Sequence, residues 1–200
     1  MLEKRGKLIV VSGPSGAGKS TVIQKLMERR SDLCFSVSAT TRDPREGEVQ
    51  GKDYFFVSHE AFDEMVERGE LLEHATYVKN CYGTPRKYVE ERRAEGMHVL
   101  LDIEVQGAAQ VRAKAADAVT VFVIPPSLEV LRQRLHDRGT DAEAVIQERL
   151  ERARAEYVEA AFYEYIVVND DADAAARELD AIITSSCCRF EDRKEYLKIH

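Results

Sequence analysis

The chain has 200 residues and a formal net charge of −7, with 44% hydrophobic and 32% charged residues. A chain of this length buries roughly 70% of the surface that its unfolded state exposes, which suits one domain or a compact core with insertions. The negative charge argues against nucleic acid as a partner. The longest apolar runs, LIVV and VFVI, are strand-sized. They fall well short of the ~20 residues that cross a bilayer, so we expect no membrane association.

The amino terminus and the cysteines indicate the compartment. The first residues include basic side chains but no long apolar segment, which argues against secretion. The four cysteines lack the paired C-x-x-C spacing of a zinc site. We therefore expect a cytoplasmic protein with reduced thiols.

Short β-branched runs alternate along the chain with amphipathic helical stretches. This pattern is typical of an α/β fold with a mainly parallel sheet. The strands are predicted at residues 7–11, 35–38, 99–103, 119–124 and 165–168.

A glycine-rich segment, VVSGPSGAGKST, follows the first predicted strand and opens a predicted helix. Its residues Gly13, Gly18, Lys19 and Ser20 fit the pattern G-x-x-x-x-G-K-[ST]. Glycines let backbone N–H groups approach a polyphosphate, the lysine adds charge at the terminal phosphates, and the serine hydroxyl can bind Mg²⁺. The positive end of the helix dipole also favours an anion. The segment predicts a phosphate-binding loop.

The alternation of predicted strands and helices is interrupted between residues 42 and 86. The stretch REGEVQGKDYFFV, with its glycines and aromatic residues, predicts a small, mostly antiparallel insert. Arg42 and Arg45 lie three apart in its turn-rich beginning, and Tyr54 follows nine residues after Arg45. Two guanidinium groups and a phenol can bind a phosphate monoester, although two solvated loop arginines are the ordinary alternative.

Further along the insert, ELLEHATYVKNCYGTP offers Glu73, Tyr82 and Thr84. A carboxylate near a nucleobase suits guanine, whose N1–H and N2–H₂ groups both donate, whereas the N1 lone pair of adenine would repel it. Such a site can discriminate by as much as ~10⁴-fold because a mismatch leaves buried polar groups unpaired. The alternative is a solvated carboxylate at a strand edge.

Asp102 follows a buried run in HVLLDIE, at the carboxyl end of a predicted strand. Parallel α/β sheets bind their ligands at that end. Next to a phosphate-binding loop, a contact with Mg²⁺ or substrate is favoured over an ordinary strand terminus.

From residue 127 onward the sequence reads as helical. Ser127 is the predicted N-cap, and Leu128, Leu131 and Leu135 form an apolar stripe before Gly139. A second helix is predicted at about residues 142–163.

Three arginines mark this helical pair. Arg134 and Arg138 lie four apart and so share one helical face, and Arg149 lies on the following helix. Without further context, these arginines could simply belong to a charged helical hairpin exposed to solvent. Asn169 follows the last predicted strand, where it could cap the next helix.

Several of these motifs together resemble the guanylate kinase family. The resemblance runs from about residue 7 to 183 and rests on SGPSGAGKST, FSVSATTRDPREGEVQGKDYFFV, LLEHATYVKNCYGTP, LLDIEVQG, RQRLHDRGT and VVNDD, in that order. It implies a P-loop NTPase-type parallel sheet core flanked by helices. Residues 1–40 and 85–200 would form this core, residues 41–84 a GMP-binding insert, and residues at about 127–160 a helical lid.

The resemblance implies transfer of the terminal phosphoryl group of ATP to GMP, and to dGMP, with Mg²⁺. The chain would then be a monomer or a small homo-oligomer. A non-catalytic protein-interaction module of the same family is the alternative, although the phosphate-binding loop is intact. Some members have serine where this chain has Thr84, which keeps the hydroxyl and adds a methyl group.

Site roles also follow from the resemblance. Lys19, Arg45, Arg138 and Arg149 would act in catalysis, and Mg²⁺ would lie on Ser20, with Asp102 bound through water. The ATP-binding residues would be Gly13, Pro14, Ser15, Gly16, Ala17, Gly18, Lys19, Ser20, Thr21, Arg134 and Asn169. The GMP-binding residues would be Ser38, Arg42, Arg45, Tyr54, Glu73, Tyr82, Thr84 and Asp102.

Overall fold

The fold was obtained as a computed structural model, which describes residues 5–137, 139 and 142–197. In chain order, its strands are β1 (Leu8–Ser12), β2 (Leu33–Phe35), β3 (Ala39–Thr40), β4 (Phe55–Phe56), β5 (Leu71–Tyr77), β6 (Asn80–Pro85), β7 (His98–Asp102), β8 (Val119–Ile124) and β9 (Tyr165–Val168). The helices are α1 (Lys19–Arg29), α2 (His59–Glu67), α3 (Arg86–Ala94), α4 (Val105–Lys114), α5 (Leu128–Asp137), α6 (Glu143–Glu159), α7 (Ala172–Ser186) and α8 (Phe190–Arg193).

The chain divides into two compact units. One contains the segment up to Leu8 and residues Asp32–Ala118, and the other contains Ile9–Ser31 and the segment from Val119 onward.

In the unit formed mainly by Asp32–Ala118, β2 and β7 pair in parallel. A separate four-stranded sheet has the order β4-β3-β6-β5, in which β6 runs antiparallel to both β3 and β5. Phe62 of α2 packs with Ala39 and Leu71 in a core beneath this sheet. Most of this sheet comes from the predicted insert, and the apolar core stabilises it.

The other unit contains the parallel strands β1, β8 and β9. Strand β8 pairs with both β1 and β9. The β-branched run of β8 is buried over five of its six residues, as expected for a strand of a parallel sheet. Helices α1 and α7 are joined by ion pairs, among them Lys25 with Asp173 at 2.7 Å.

Helices α5 and α6 share a small apolar core within the same unit, formed by Leu131, Leu135, Ile146, Leu150 and Ala153. The hydroxyl of Ser127 accepts a hydrogen bond from Val130 N at 3.2 Å, so the predicted cap and the leucine stripe are both confirmed. Helix α6 ends earlier than predicted, because residues 160–162 tighten into a 3₁₀ turn.

The predicted α/β class with parallel strands and flanking helices is confirmed. The strands predicted at residues 119–124 and 165–168 match β8 and β9. The strand predicted at residues 35–38 is wrong in position, because β2 occupies Leu33–Phe35 and only the amide of Ser36 continues the pairing, with Leu100 O. Helix α2 was not predicted.

All four cysteines are free thiols. Within the described segments, no helix combines the length and apolarity that crossing a bilayer requires.

Candidate active site

The phosphate-binding loop joins β1 to α1, as the sequence predicts. Gly18 is the N-cap of α1 and has φ of 84°, a left-handed conformation that favours glycine. A Cβ at this position would lie 2.4 Å from Asn169 Nδ2. Because glycine has no side chain to occupy the first N–H groups of α1, these groups can serve a phosphate.

Lys19 turns its side chain back over the loop. Its Nζ donates to Gly13 O at 2.6 Å and lies 3.4 Å from Pro14 O. The ammonium group is thus held among backbone carbonyls, where a nucleotide phosphate can also reach it. Ser20 and Thr21 follow in the first turn of α1 and are exposed.

Asn169 and Arg134 lie beside this loop. Asn169 is buried, and its Nδ2 donates to Ala17 O at 2.7 Å. Arg134 of α5 donates through Nη2 to Asn169 O at 2.9 Å. The cap of α7 is Asp171, whose carboxylate accepts from Ala174 N. The capping alternative for Asn169 is therefore wrong.

A cavity of about 400 Å³ opens at this place, a size within the usual range for ligand sites. It is lined by Gly16, Gly18, Thr21, Arg134, Asp137, Asn169, Asp170 and Ala172. The structure thus places Arg134 and Asn169, which the resemblance assigns to ATP, beside the phosphate-binding loop.

The other two arginines predicted to act in catalysis from this helical pair are Arg149 and Arg138. Arg149 lies on α6 and is half-buried. Arg138 lies outside the described residues, so its predicted role has no structural account here.

In the unit that contains the insert, three residues predicted to bind a phosphate lie together. The guanidinium of Arg42 stacks 5.4 Å from the centroid of the Tyr54 ring. The rings of Tyr54 and Tyr82 meet edge to face at 6.3 Å. Arg45 is exposed on the neighbouring loop.

Glu48 is a residue of this cluster that the sequence did not single out. Both of its carboxylate oxygens accept from Arg42 Nη2, at 2.8 and 2.9 Å, and Oε2 also accepts from Arg45 N at 2.7 Å. The Glu48 carboxylate raises the pKa of Arg42, and Arg42 in turn lowers the pKa of Glu48. An internal anion therefore holds the arginine where a phosphate ligand is predicted.

Glu73 on β5 and Thr84 on β6 form a buried pair, and the two residues are 7% and 1% exposed. Thr84 Oγ1 donates to Glu73 Oε1 at 2.6 Å. Burial raises the pKa of Glu73, while the hydrogen bond from Thr84 and the charge of Lys114 oppose that rise. The carboxylate keeps further acceptor positions for a ligand that offers two donors.

Ser38 and Asp102 belong to the same unit. Ser38 is half-buried, and its backbone oxygen accepts from Phe55 N at 2.8 Å. Asp102 is the last residue of β7 and is exposed, at the strand end where the sequence places it.

Known proteins resemble this chain over nearly its whole length. The sequence model described as Guanylate kinase matches residues 5–186. The guanylate kinase of Caldanaerobacter subterraneus is 46% identical over 199 residues, which cover 99% of this chain and 97% of the relative. The guanylate kinase of Streptococcus thermophilus is 50% identical, with 95% of this chain and 91% of the relative covered. The chain belongs to the guanylate kinase family.

A solved structure supports the guanylate kinase fold as well. The guanylate kinase of Anaplasma phagocytophilum matches with a TM-score of 0.68 at 37% identity, covering 92% of this chain and 88% of that one.

Proposed function

We propose that the two groups of residues serve the two substrates of one reaction. The chain is a guanylate kinase: it transfers the terminal phosphoryl group of ATP to GMP, giving ADP and GDP. The observation that carries this proposal is the buried Glu73–Thr84 pair, joined at 2.6 Å, because its acceptors suit guanine and not the other bases. The deoxynucleotide dGMP is proposed as a second acceptor.

The loop from Gly13 to Thr21 would bind the phosphates of ATP, and the cavity beside Arg134 and Asn169 would take its adenosine end. Lys19, already held over the loop at 2.6 Å from Gly13 O, would exchange a carbonyl contact for a phosphate oxygen. This exchange places a positive charge where negative charge develops in the transition state.

Mg²⁺ fits the residues of this loop as a companion of ATP. Among the described residues, no three His, Cys, Asp or Glu side chains form a cluster that could hold a metal ion by themselves. Mg²⁺ typically combines one or two protein oxygens with phosphates and waters. Ser20 offers such an oxygen, and Asp102 is proposed to act through water. The ion would neutralise charge on the transferred phosphoryl group.

For the GMP phosphate, the candidates are Arg42, Arg45, Tyr54 and Tyr82. The phosphate would replace Glu48 as the anion facing Arg42, whose planar fork suits a phosphate as well as a carboxylate. The GMP oxygen that attacks is already anionic, so the reaction needs positioning and charge rather than a general base.

Arg45, Arg138 and Arg149 are proposed to stabilise the transition state, with residues at about 127–160 acting as a lid that excludes water. Residues 41–84 would form the GMP-binding insert. The four free thiols agree with a cytoplasmic location. Gel filtration would distinguish a monomer from a small homo-oligomer.

The test is ADP release from ATP and Mg²⁺ with GMP, AMP, CMP and UMP offered separately. We expect turnover with GMP alone, and none when Mg²⁺ is chelated. Turnover with another nucleotide would overturn the role of Glu73 but keep the kinase. A folded protein that binds GMP without turnover would instead support the non-catalytic module.

A further inference from the structure

The carboxylate of Glu73 lies on an irregular part of its strand. Strand β5 is at the edge of its sheet, and its pairing with β6 shifts register between Leu71 and His74. Two residues of β5, including Glu73, therefore face Thr84 alone. A bulge of this kind re-aims a side chain but disrupts the hydrogen-bond ladder locally.

The outer edge of β5 is held at this bulge by Gln110 of α4. Gln110 Oε1 accepts from His74 N at 3.1 Å, and Gln110 Nε2 donates to His74 O at 2.9 Å. The side-chain amide thus makes the pair of bonds that a residue of an adjacent antiparallel strand would make. His74 directly follows Glu73, so these bonds fix the backbone next to the carboxylate.

Lys114 of the same helix holds the other side of the bulge, because its Nζ donates to Leu71 O at 3.0 Å. Gly107 lets the helix approach: a Cβ there would lie 3.0 Å from Glu73 Oε2, a contact that would displace the carboxylate. Gly107, Gln110 and Lys114 lie three and four residues apart, hence on one face of α4. We name these three residues the α4 clamp.

We propose that Gln110 and Lys114 are positioning residues for base selection, which aim the Glu73 carboxylate at N1–H and N2–H₂ of guanine. The inference rests on the proposed function, because it concerns the same base-binding site. Helix packing alone does not require an amide to satisfy both backbone groups of the residue beside Glu73. Base selection does require it, since a carboxylate on a loose bulge would accept other arrangements of donors.

The test compares GMP with IMP, which lacks the N2 amino group, by calorimetric binding to wild type and Gln110→Met. Methionine keeps the length and packing of glutamine but loses both hydrogen bonds. We expect the preference for GMP over IMP to fall about tenfold, equivalent to roughly one well-aligned hydrogen bond. The affinity for ATP should stay unchanged. General loosening of the fold would instead weaken GMP and IMP by the same factor.

Lys114→Met is the second variant, because Lys114 is exposed and its loss is tolerated more easily than a change at Gln110. Gln106→Ala, an exposed glutamine one turn earlier on α4, is the matched control. A GMP:IMP preference that is unchanged in the folded variants would overturn the inference while leaving the guanylate kinase activity standing. Wild type without a preference for GMP would overturn both.

Discussion

Glu73 and Thr84 face each other on β5 and β6, and a hydrogen bond of 2.6 Å joins Thr84 Oγ1 to Glu73 Oε1 in a buried environment. The bond determines what each group offers a ligand. Thr84 uses its only proton on the carboxylate, so its oxygen can accept from a third group. Glu73 has one oxygen anchored and further acceptor positions available. The pair therefore presents acceptors only, as a base with two adjacent donors requires.

Thr84→Val keeps the shape of the side chain and removes the hydroxyl. We expect GMP to bind roughly tenfold more weakly, because Oε1 loses its anchor and an acceptor disappears from the site. The affinity for ATP should be unaffected. Calorimetric titration with each nucleotide measures both. Thr76→Val, at an exposed position of the neighbouring strand β5, serves as the control. Equal weakening in both variants would contradict a specific role for Thr84.

Glu73→Gln separates binding from stability. The amide presents a donor to the donors of guanine, so we expect GMP affinity to fall roughly 100-fold. Burial raises the pKa of Glu73, which means that the folded state keeps this proton at a pH where the unfolded state has lost it. The carboxyl therefore makes the free energy of unfolding decrease as the pH rises from the ordinary glutamate value through the raised one.

The substitution should remove that decrease. Denaturant unfolding at about pH 5 and about pH 8 would show the variant gaining stability relative to wild type at the higher pH. The informative result is whether the stability of the variant relative to wild type rises or falls with pH. A relative stability that falls with pH would mean that the carboxylate is stabilised in the fold, against the burial of Glu73 as the dominant effect.

Local sequence patterns predicted much of the fold but few of the hydrogen bonds that position the site residues. Five of the six residues in Val119–Ile124 are apolar and five are β-branched, which predicts β8 without knowledge of its neighbours. Ser36 and Ser38 gave the predicted second strand an alternating pattern, although the pairing available on β7 ends with Leu100. Helix α2 carried a readable signal, since Ser58 caps it and accepts from Ala61 N at 3.1 Å.

The contacts around the predicted ligands depend on long-range placement. Glu48 lies six positions after Arg42, and the sequence offers many other acids on the flanking segments. Gln110 reaches His74 across 36 residues, and only the bulge in β5 creates a need for it. No spacing rule identifies such a partner, because the backbone groups involved become free only when the sheet has formed.

Lys19→Met tests the donor half of the reaction. We expect turnover to fall roughly 10²–10³-fold or more, because the charge that meets the developing negative charge is lost. GMP affinity should remain near that of wild type, because Lys19 and its partner Gly13 belong to one compact unit and the Glu73–Thr84 pair belongs to the other. Coupled-assay kinetics and GMP titration give the two values. Lys79→Met, at an exposed position, is the control, and turnover near normal in Lys19→Met would remove this lysine from the mechanism.

Arg42→Lys tests the phosphate end of the acceptor site. Lysine keeps the charge but lacks the planar guanidinium, which contacts both oxygens of Glu48 through Nη2 and lies over the Tyr54 ring. We expect the KM for GMP to rise about 10–100-fold with little change in the KM for ATP. Arg68→Lys, within an exposed i,i+4 pair on and just after α2, is the matched control. If Arg42→Lys kept its KM for GMP, the Glu48-bound guanidinium would be a structural ion pair, and the phosphate would have to bind elsewhere.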